Sequence, residues 1–315
     1  MIYRPATQPT LYFIGVTTAK SSIMQVFPAW ARHLGLVDAV IKGIDFPLHA
    51  DPAAYRAAVS FIKADPLSLG ALVTTHKIDL YAAAQDLFEE VDPYARLMHE
   101  TSCISKQGAK LACHAKDPIS SGLTIDSFLP ADHFARWGAE LFSIGAGGST
   151  IAHTWHLAQR DRGANRPSRI VVADRDQARL DEIRRIHQAF AIDLPVDYVR
   201  VADAAGNDAI LGRLKPHALV INATGLGKDR PGSPLTDAAR FPERAIAWDL
   251  NYRGDLIFLD QARRQQEERH LQIENGWTYF IHGWTQVIAE VFHIGIPTGG
   301  PGFDALSHIA AAAKG

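Results

Sequence analysis

The stretch Glu140-Leu141-Phe142-Ser143-Ile144-Gly145-Ala146-Gly147-Gly148-Ser149-Thr150 passes from an apolar run into a glycine turn. Residues 140–144 predict a buried strand, and 149–160 have helical spacing, with Ile151, Trp155 and Ala158 near one face. A second apolar run, 169–173, predicts the next strand and ends in Asp174. Strand, glycine turn, helix, strand and acid, in that order, is the plan of a Rossmann-type dinucleotide-binding unit. Gly145 permits the tight turn, and Gly147 lets backbone N–H groups approach a pyrophosphate at the positive end of the helix. Ala146, Gly148 and Ser149 complete the phosphate-facing loop, while Thr150 stands where a third glycine is usual. A carboxylate at the position of Asp174 accepts hydrogen bonds from the ribose 2′-OH of NAD and repels the 2′-phosphate of NADP. Arg175 suits a phosphate and keeps NADP open, and Asp176 competes for that arginine. NAD is the favoured cofactor.

Outward from this unit, strands alternate with helix-like segments in both directions, which predicts the α/β class. Before it, strands are expected at 11–14, 37–44 and 71–73, with helices ending near Gly35 and at 55–64. The third strand delivers Thr74-Thr75-His76-Lys77 at its end, where ligand chemistry collects in such sheets. Shorter strands are expected at 102–105 and 111–114, around the turn Gln107-Gly108-Ala109. After the glycine turn come strands at 198–201, 218–222 and 246–250 and helices at 205–214, 256–268 and 304–313. The loop Asn222-Ala223-Thr224-Gly225-Leu226-Gly227 is placed to lie near a bound cofactor, and 295–302 reads as a glycine- and proline-rich loop. The expected organisation is an N-terminal α/β substrate domain (1–120 with 277–315) and a doubly wound nucleotide-binding domain (121–276).

Composition limits the partners. The 315 residues carry a formal net charge of −2, which leaves no global basic field for nucleic acid or anionic membrane. No apolar run reaches the roughly 18 residues needed to cross a bilayer, and the start lacks signal-peptide form, so a cytoplasmic protein is expected. The two cysteines, Cys103 and Cys113, provide neither a disulfide framework nor zinc spacing. His153 and His156 lie three apart on the glycine-turn helix without an evident third ligand, so no metal is expected. A small-molecule substrate and a monomer or homodimer fit this composition.

In these residues and their order the chain resembles the shikimate/quinate dehydrogenase family over nearly its whole length. Val73-Thr74-Thr75-His76-Lys77 resembles the family's Val-Thr-x-Pro-His-Lys, shortened and without its proline. Lys110-Leu111 followed by Asp117 resembles Lys-Leu…Asn-Thr-Asp-Gly, and Asp174-Arg175-Asp176 occupies the place of Asn-Arg-Thr. Asn222 to Gly227 is similar to Asn-Ala-Thr-x-x-Gly, and Asp249-Leu250-Asn251-Tyr252 to Asp-x-x-Tyr. The resemblance implies hydride transfer between a nicotinamide cofactor and a secondary alcohol, with Lys77 and Asp117 as the proton-transfer pair. It places Asn222, Ala223, Thr224 and Gly225 at the cofactor, and Ser21, Ser22, Thr74, Thr75, Ser102, Tyr252 and Gln286 at the substrate.

The substrate segments depart from the family pattern. Its Ser-x-Ser-Pro is here Ala19-Lys20-Ser21-Ser22-Ile23-Met24, its Asn of Ala-x-Asn-Thr is Ser102, and the Asn before Thr-Asp-Gly is Ala115. Each lost hydrogen bond to a substrate hydroxyl costs about 1 kcal/mol or more, so a related cyclic hydroxy acid is expected in place of shikimate. Two other readings stand beside this one: a different lysine-using dehydrogenase of the same two-domain plan, and a non-catalytic NAD-binding regulatory protein.

Overall fold

In the computed structural model, which describes residues 3–228 and 230–314, contacts divide the chain into two units. One comprises residues 1–116 and 281–315, the other 117–280. In the first, the wholly buried run Thr10–Gly15 forms strand β1, and helix α1 (Ile23–His33) follows with Ile23, Val26, Phe27 and Trp30 turned to the core. The Trp30 indole N–H reaches the Leu306 carbonyl at 2.8 Å, fastening the C-terminal segment to α1. Next come β2 (Val40–Asp45), α2 (Pro52–Ala64), β3 (Ser68–Val73) and α3 (Lys77–Ala84). Asp51 caps α2 with Pro52 at its first position, a standard helix start. The unit continues through β4 (Glu90–Val91), α4 (Pro93–Met98) and the hairpin β5 (Cys103–Gln107)–β6 (Lys110–His114). Its sheet has the order β2-β1-β3-β5-β6-β4, with β1, β2 and β3 parallel and β5 antiparallel to both β3 and β6.

The second unit opens with α5 (Asp117–Phe128) and α6 (His133–Trp137). Its sheet is built by β7 (Leu141–Ile144), α7 (Gly148–Ala158), β8 (Ile170–Asp174), α8 (Gln177–Ala189), β9 (Val196–Arg200), α9 (Ala204–Leu211), β10 (Leu219–Asn222) and β11 (Ile246–Asp249). α10 (Ile257–Arg263), α11 (Gln266–Arg269) and β12 (Gln272–Glu274) complete it. All strands are parallel in the order β12-β11-β10-β7-β8-β9. With β7 counted first this is 3-2-1-4-5-6 seen from one edge, the doubly wound order whose switch point lies between β7 and β10. β7, β10 and β11 are buried along their whole length, as strands covered on both faces must be. The unit boundary falls within α12 (Trp277–Phe292), and α13 (Gly300–Lys314) closes the chain.

Several expected elements differ in extent, among them β3, which starts three residues before the expected 71–73, and α9, which ends at Leu211, short of the expected 214. Residues 37–39 precede β2, because the Ala39 N–H bonds the Leu36 carbonyl in a turn. The expected helix at 256–268 is two helices, and the expected loop at 295–302 ends early because α13 starts at Gly300. Among the described residues no helix is long and apolar enough to cross a membrane.

Candidate functional site

Two constraints make the glycine turn after β7. Gly145 has φ +104°, which L side chains rarely adopt, and a Cβ there would lie 2.8 Å from the Ala223 carbonyl oxygen. Gly147 caps α7 in extended conformation, and a Cβ there would meet nothing within 4 Å. Its outer face is therefore open toward the positive end of an 11-residue helix. Ala146 is buried, while Gly148 and Ser149 are half-buried in the first turn of that helix. Thr150, the substitute for a third glycine, is fully buried, and its hydroxyl donates to the Gly145 carbonyl at 2.5 Å. Thr150 Oγ1 lies 2.9 Å from Ser143 Oγ, which is 3.0 Å from His153 Nε2, so a polar chain braces the turn from below. Burial pushes the His153 imidazole down to about 3 and keeps it neutral. His156 Nε2 lies 3.1 Å from Asp126, and among the described residues no His, Cys, Asp and Glu cluster could hold a metal ion.

Beside the turn lies a cavity of about 890 Å³ lined by Gly145, Asp174, Arg175, Arg179, Arg200 and Asn207 among others. Asp174 ties this wall to the turn. Its Oδ2 accepts the Ala146 N–H at 2.8 Å and its Oδ1 the Asp176 N–H at 2.9 Å. Asp176 in turn caps α8 through the Ala178 N–H at 2.9 Å. The open glycine face, the helix end for a pyrophosphate and a fixed carboxylate for a ribose diol fit an adenine dinucleotide. Arg179, Arg200 and Asn207 carry no motif in the sequence; only their places after β8 and β9, on the nucleotide side of the unit, could have marked them.

Ala223, Thr224 and Leu226, beyond the end of β10, also line the cavity, and contacts with the end of β11 brace their loop. Asn222 Oδ1 accepts from the Thr224 N–H (3.1 Å) and hydroxyl (2.7 Å), and its Nδ2 donates to Asp249 Oδ2 at 3.1 Å. The Asn251 amide donates to the Leu226 carbonyl at 3.0 Å, so the 222–227 loop is held from both ends. Gly225 (φ +74°) makes the bend within it. Tyr252 packs against Trp277 and Phe280 at centroid distances of 5.5 and 4.7 Å. Asp249 is fully buried, and that burial pushes its carboxyl up to about 6 despite the Asn251 N–H at 2.9 Å. A folded-state value above the ordinary carboxyl value of 3.8 means that the native protein binds this proton more tightly than the unfolded chain. This contribution is present in full below about pH 4 and lost as pH rises through about 6, a difference of about 3 kcal/mol. Asp249→Asn should remove that slope. Urea unfolding of both proteins at pH 4 and 7 measures it, and a wild-type minus variant difference that does not change with pH would refute it.

In the first unit, Lys77 opens α3 directly after the β3 end, and Asp117 opens α5 of the second unit with Pro118 behind it. Thr74 is half-buried, its N–H bonded to the Ile14 carbonyl at 2.9 Å, while Thr75 is exposed with φ +50°. His76 is buried with Nδ1 2.8 Å from the Tyr55 hydroxyl, and burial pushes its pKa down. Ser21 is half-buried and Ser22 buried at the start of α1, and Gln286 is half-buried on α12. Ser102 is 3% exposed: its Oγ accepts the Lys116 N–H at 2.7 Å and donates to the His114 carbonyl at 3.4 Å. That hydroxyl anchors the residue preceding Asp117. A half-buried polar group absent from the sequence reading lies beside it: Lys116 Nζ lies 2.6 Å and His114 Nε2 3.4 Å from Glu290, and His114 Nδ1 lies 3.5 Å from Asp92. Lys116 and His114 hold the Glu290 carboxyl below its ordinary value against the opposing effect of burial.

No protein-family model matches the chain. A shikimate dehydrogenase (NADP(+)) of Lactococcus lactis subsp. cremoris is 26% identical over 189 residues, 60% of this chain and 61% of that protein. The match thus spans less than two thirds of the relative. The quinate dehydrogenase of Corynebacterium glutamicum in complex with NAD superposes with a TM-score of 0.71 at 18% identity, covering 97% of this chain and 99% of that one. The shikimate dehydrogenase of Aquifex aeolicus gives 0.71 at 16% identity over 99% of both chains. In sequence over that partial stretch, and in fold over nearly its full length, the chain is shikimate dehydrogenase-like.

Proposed function

We propose that the chain is a nicotinamide-dependent dehydrogenase that interconverts a secondary alcohol and a ketone on a small cyclic hydroxy acid. The observation that carries this is the open glycine turn at the N-terminus of α7, beside a cavity bounded by the fixed Asp174 carboxylate. Gly145, Gly147 and the first N–H groups of α7 would hold the pyrophosphate, and the 222–227 loop would lie along the nicotinamide half. When bound, the nicotinamide ring supplies the hydride acceptor. Lys77 would take the substrate hydroxyl proton on Nζ during oxidation and return it during reduction, with Asp117 as the second member of the proton-transfer pair that the family resemblance implies. Measuring NAD reduction against a panel of cyclic hydroxy acids that includes shikimate and quinate tests this function. Ser102, whose hydroxyl is already committed to backbone groups, supports a substrate other than shikimate. It also supports the second reading, a cofactor-binding regulatory protein; NAD binding with no turnover on any panel member would favour that reading.

NAD is the cofactor we favour, because Asp174 and Asp176 both line the cavity where β8 ends. Arg175, Arg179 and Arg200 line it as well, so phosphate-binding groups are already in place once the negative charge falls. Asp176→Ser keeps a capping hydroxyl for α8 and removes one charge. The NADP-to-NAD affinity ratio should rise about tenfold. Titration with both dinucleotides checks it, and an unchanged ratio would assign the preference elsewhere.

A further inference from the structure

Helix α3 starts from a turn that L residues rarely form. The His76 N–H bonds the Thr74 carbonyl two residues back, which makes a γ-turn, and the central residue Thr75 has φ +50°. Positive φ is unfavourable for any side chain and most of all for a β-branched one, so such a turn persists only where its surroundings over-determine it. Three backbone bonds hold the flanks: Thr74 N–H to the Ile14 carbonyl at 2.9 Å, Leu80 N–H to the His76 carbonyl at 2.8 Å and Thr101 N–H to the Lys77 carbonyl at 3.1 Å. His76 adds a side-chain hold. It occupies the N-cap of α3, yet its side chain bonds no helix N–H and turns inward instead, leaving the residue 1% exposed. Its Nδ1 lies 2.8 Å from the hydroxyl of Tyr55, which is wholly buried on α2. The same hydroxyl accepts the Ala50 N–H at 3.2 Å, and the Phe46 ring meets the imidazole edge-on at 5.9 Å. The segment after β2, the helix α2 and the turn after β3 thus converge on one imidazole, next in sequence to Lys77.

We propose that Tyr55 and His76 are positioning residues for Lys77: their hydrogen bond keeps the Thr75 turn in its strained form and so fixes where α3 presents the lysine amine. The inference rests on the dehydrogenase reading with Lys77 as the proton carrier. Proton transfer needs the amine within hydrogen-bond reach of the reacting hydroxyl, and a displacement of about 1 Å costs rate far more than binding. Relaxing the turn frees the backbone that carries Lys77, whereas the cavity proposed for the dinucleotide is bounded by residues of the second unit.

Steady-state kinetics of the full chain, with the hydroxy acid turned over fastest in a panel that includes shikimate and quinate, test the assignment. Tyr55→Phe removes one oxygen and keeps the ring; kcat should fall about tenfold or more, with KM for the acid and NAD affinity each within about twofold. His76→Phe should do the same, whereas His76→Gln, which can still bond the Tyr55 hydroxyl, should keep kcat within about threefold. In a Lys77→Ala background Tyr55→Phe should change kcat by less than about twofold, because the pair acts through the amine; a merely structural role gives the same loss in both backgrounds. If Tyr55→Phe does not fold, the two His76 variants decide. An unchanged kcat in Tyr55→Phe or His76→Phe, a His76→Gln protein as slow as His76→Phe, or an equal loss with and without Lys77 overturns the assignment and leaves the dehydrogenase standing. Turnover of no panel member by the unaltered protein overturns the dehydrogenase reading, and this assignment with it.

Discussion

If the proposed dehydrogenase activity holds, replacing Lys77 by alanine should lower kcat by about 10²- to 10⁴-fold on whichever hydroxy acid is turned over, the range typical for loss of a positioned acid–base group. Lys77 is half-buried at the first position of α3. Alanine is a good helix former, so the fold should survive and the thermal midpoint should move little. The cavity proposed for the dinucleotide is bounded by residues of the second unit, so NAD affinity should stay within about twofold, a change of under 0.5 kcal/mol. Steady-state kinetics together with NAD titration separate the possibilities. A kcat that falls with NAD affinity intact identifies a chemical role, whereas an unchanged kcat removes Lys77 from the mechanism.

The second large effect lies at Gly145. A valine there would carry a β-branched side chain at φ +104° and push its Cβ toward the Ala223 carbonyl, 2.8 Å away in the native geometry. Strain of this kind costs about 1–3 kcal/mol, and the clash with backbone adds to it. Because the turn and the 222–227 loop meet at this contact, both sides of the proposed cofactor site should shift. NAD affinity is expected to fall by at least about tenfold, with a lower thermal midpoint. Gly147→Ala is the contrasting case. Nothing within 4 Å opposes its Cβ, so stability should be preserved while a phosphate-facing surface is covered. A Gly145→Val protein that binds NAD normally would refute the role given to this turn.

The glycine turn was legible because two independent signals coincide there. The apolar run of 140–144 sets the strand, and glycines at 145, 147 and 148 leave only a turn before the helical spacing resumes. The parallel sheet was legible for a related reason: strands buried on both faces appear as unbroken apolar runs, as at 218–221 and 245–248. α5 was harder to read, since Asp117-Pro118-Ile119-Ser120-Ser121-Gly122 has little apolar periodicity. Its helix is close-packed through small residues; a Cβ on Gly122 would lie 2.6 Å from His156 Nδ1. α8 is rich in charged residues, and only Leu180, Ile183, Ile186 and His187 are buried, a narrow stripe that the Arg, Asp and Glu side chains obscure. At the site, Asp174 and the 222–227 loop have recognisable spacing, but their hydrogen-bond partners come from tertiary structure. Nothing local assigns Asp174 to the Ala146 N–H or Ser102 to the Lys116 N–H. Asn207 left one trace, an amide in the middle of a helix, whose partner Pro234 lies 27 residues away.

Thr150 bears on how fast and with what heat a cofactor would arrive. Many phosphate-binding turns gain their order from the ligand and surrender conformational freedom at that moment. Here the Gly145 carbonyl is already engaged by the Thr150 hydroxyl and the Ala146 N–H by Asp174, so both peptides of the turn are held before encounter. Less entropy remains to be lost on association, and capture requires no slow rearrangement of the turn. The association rate should then follow diffusion and charge, and vary with ionic strength more than with loop motion.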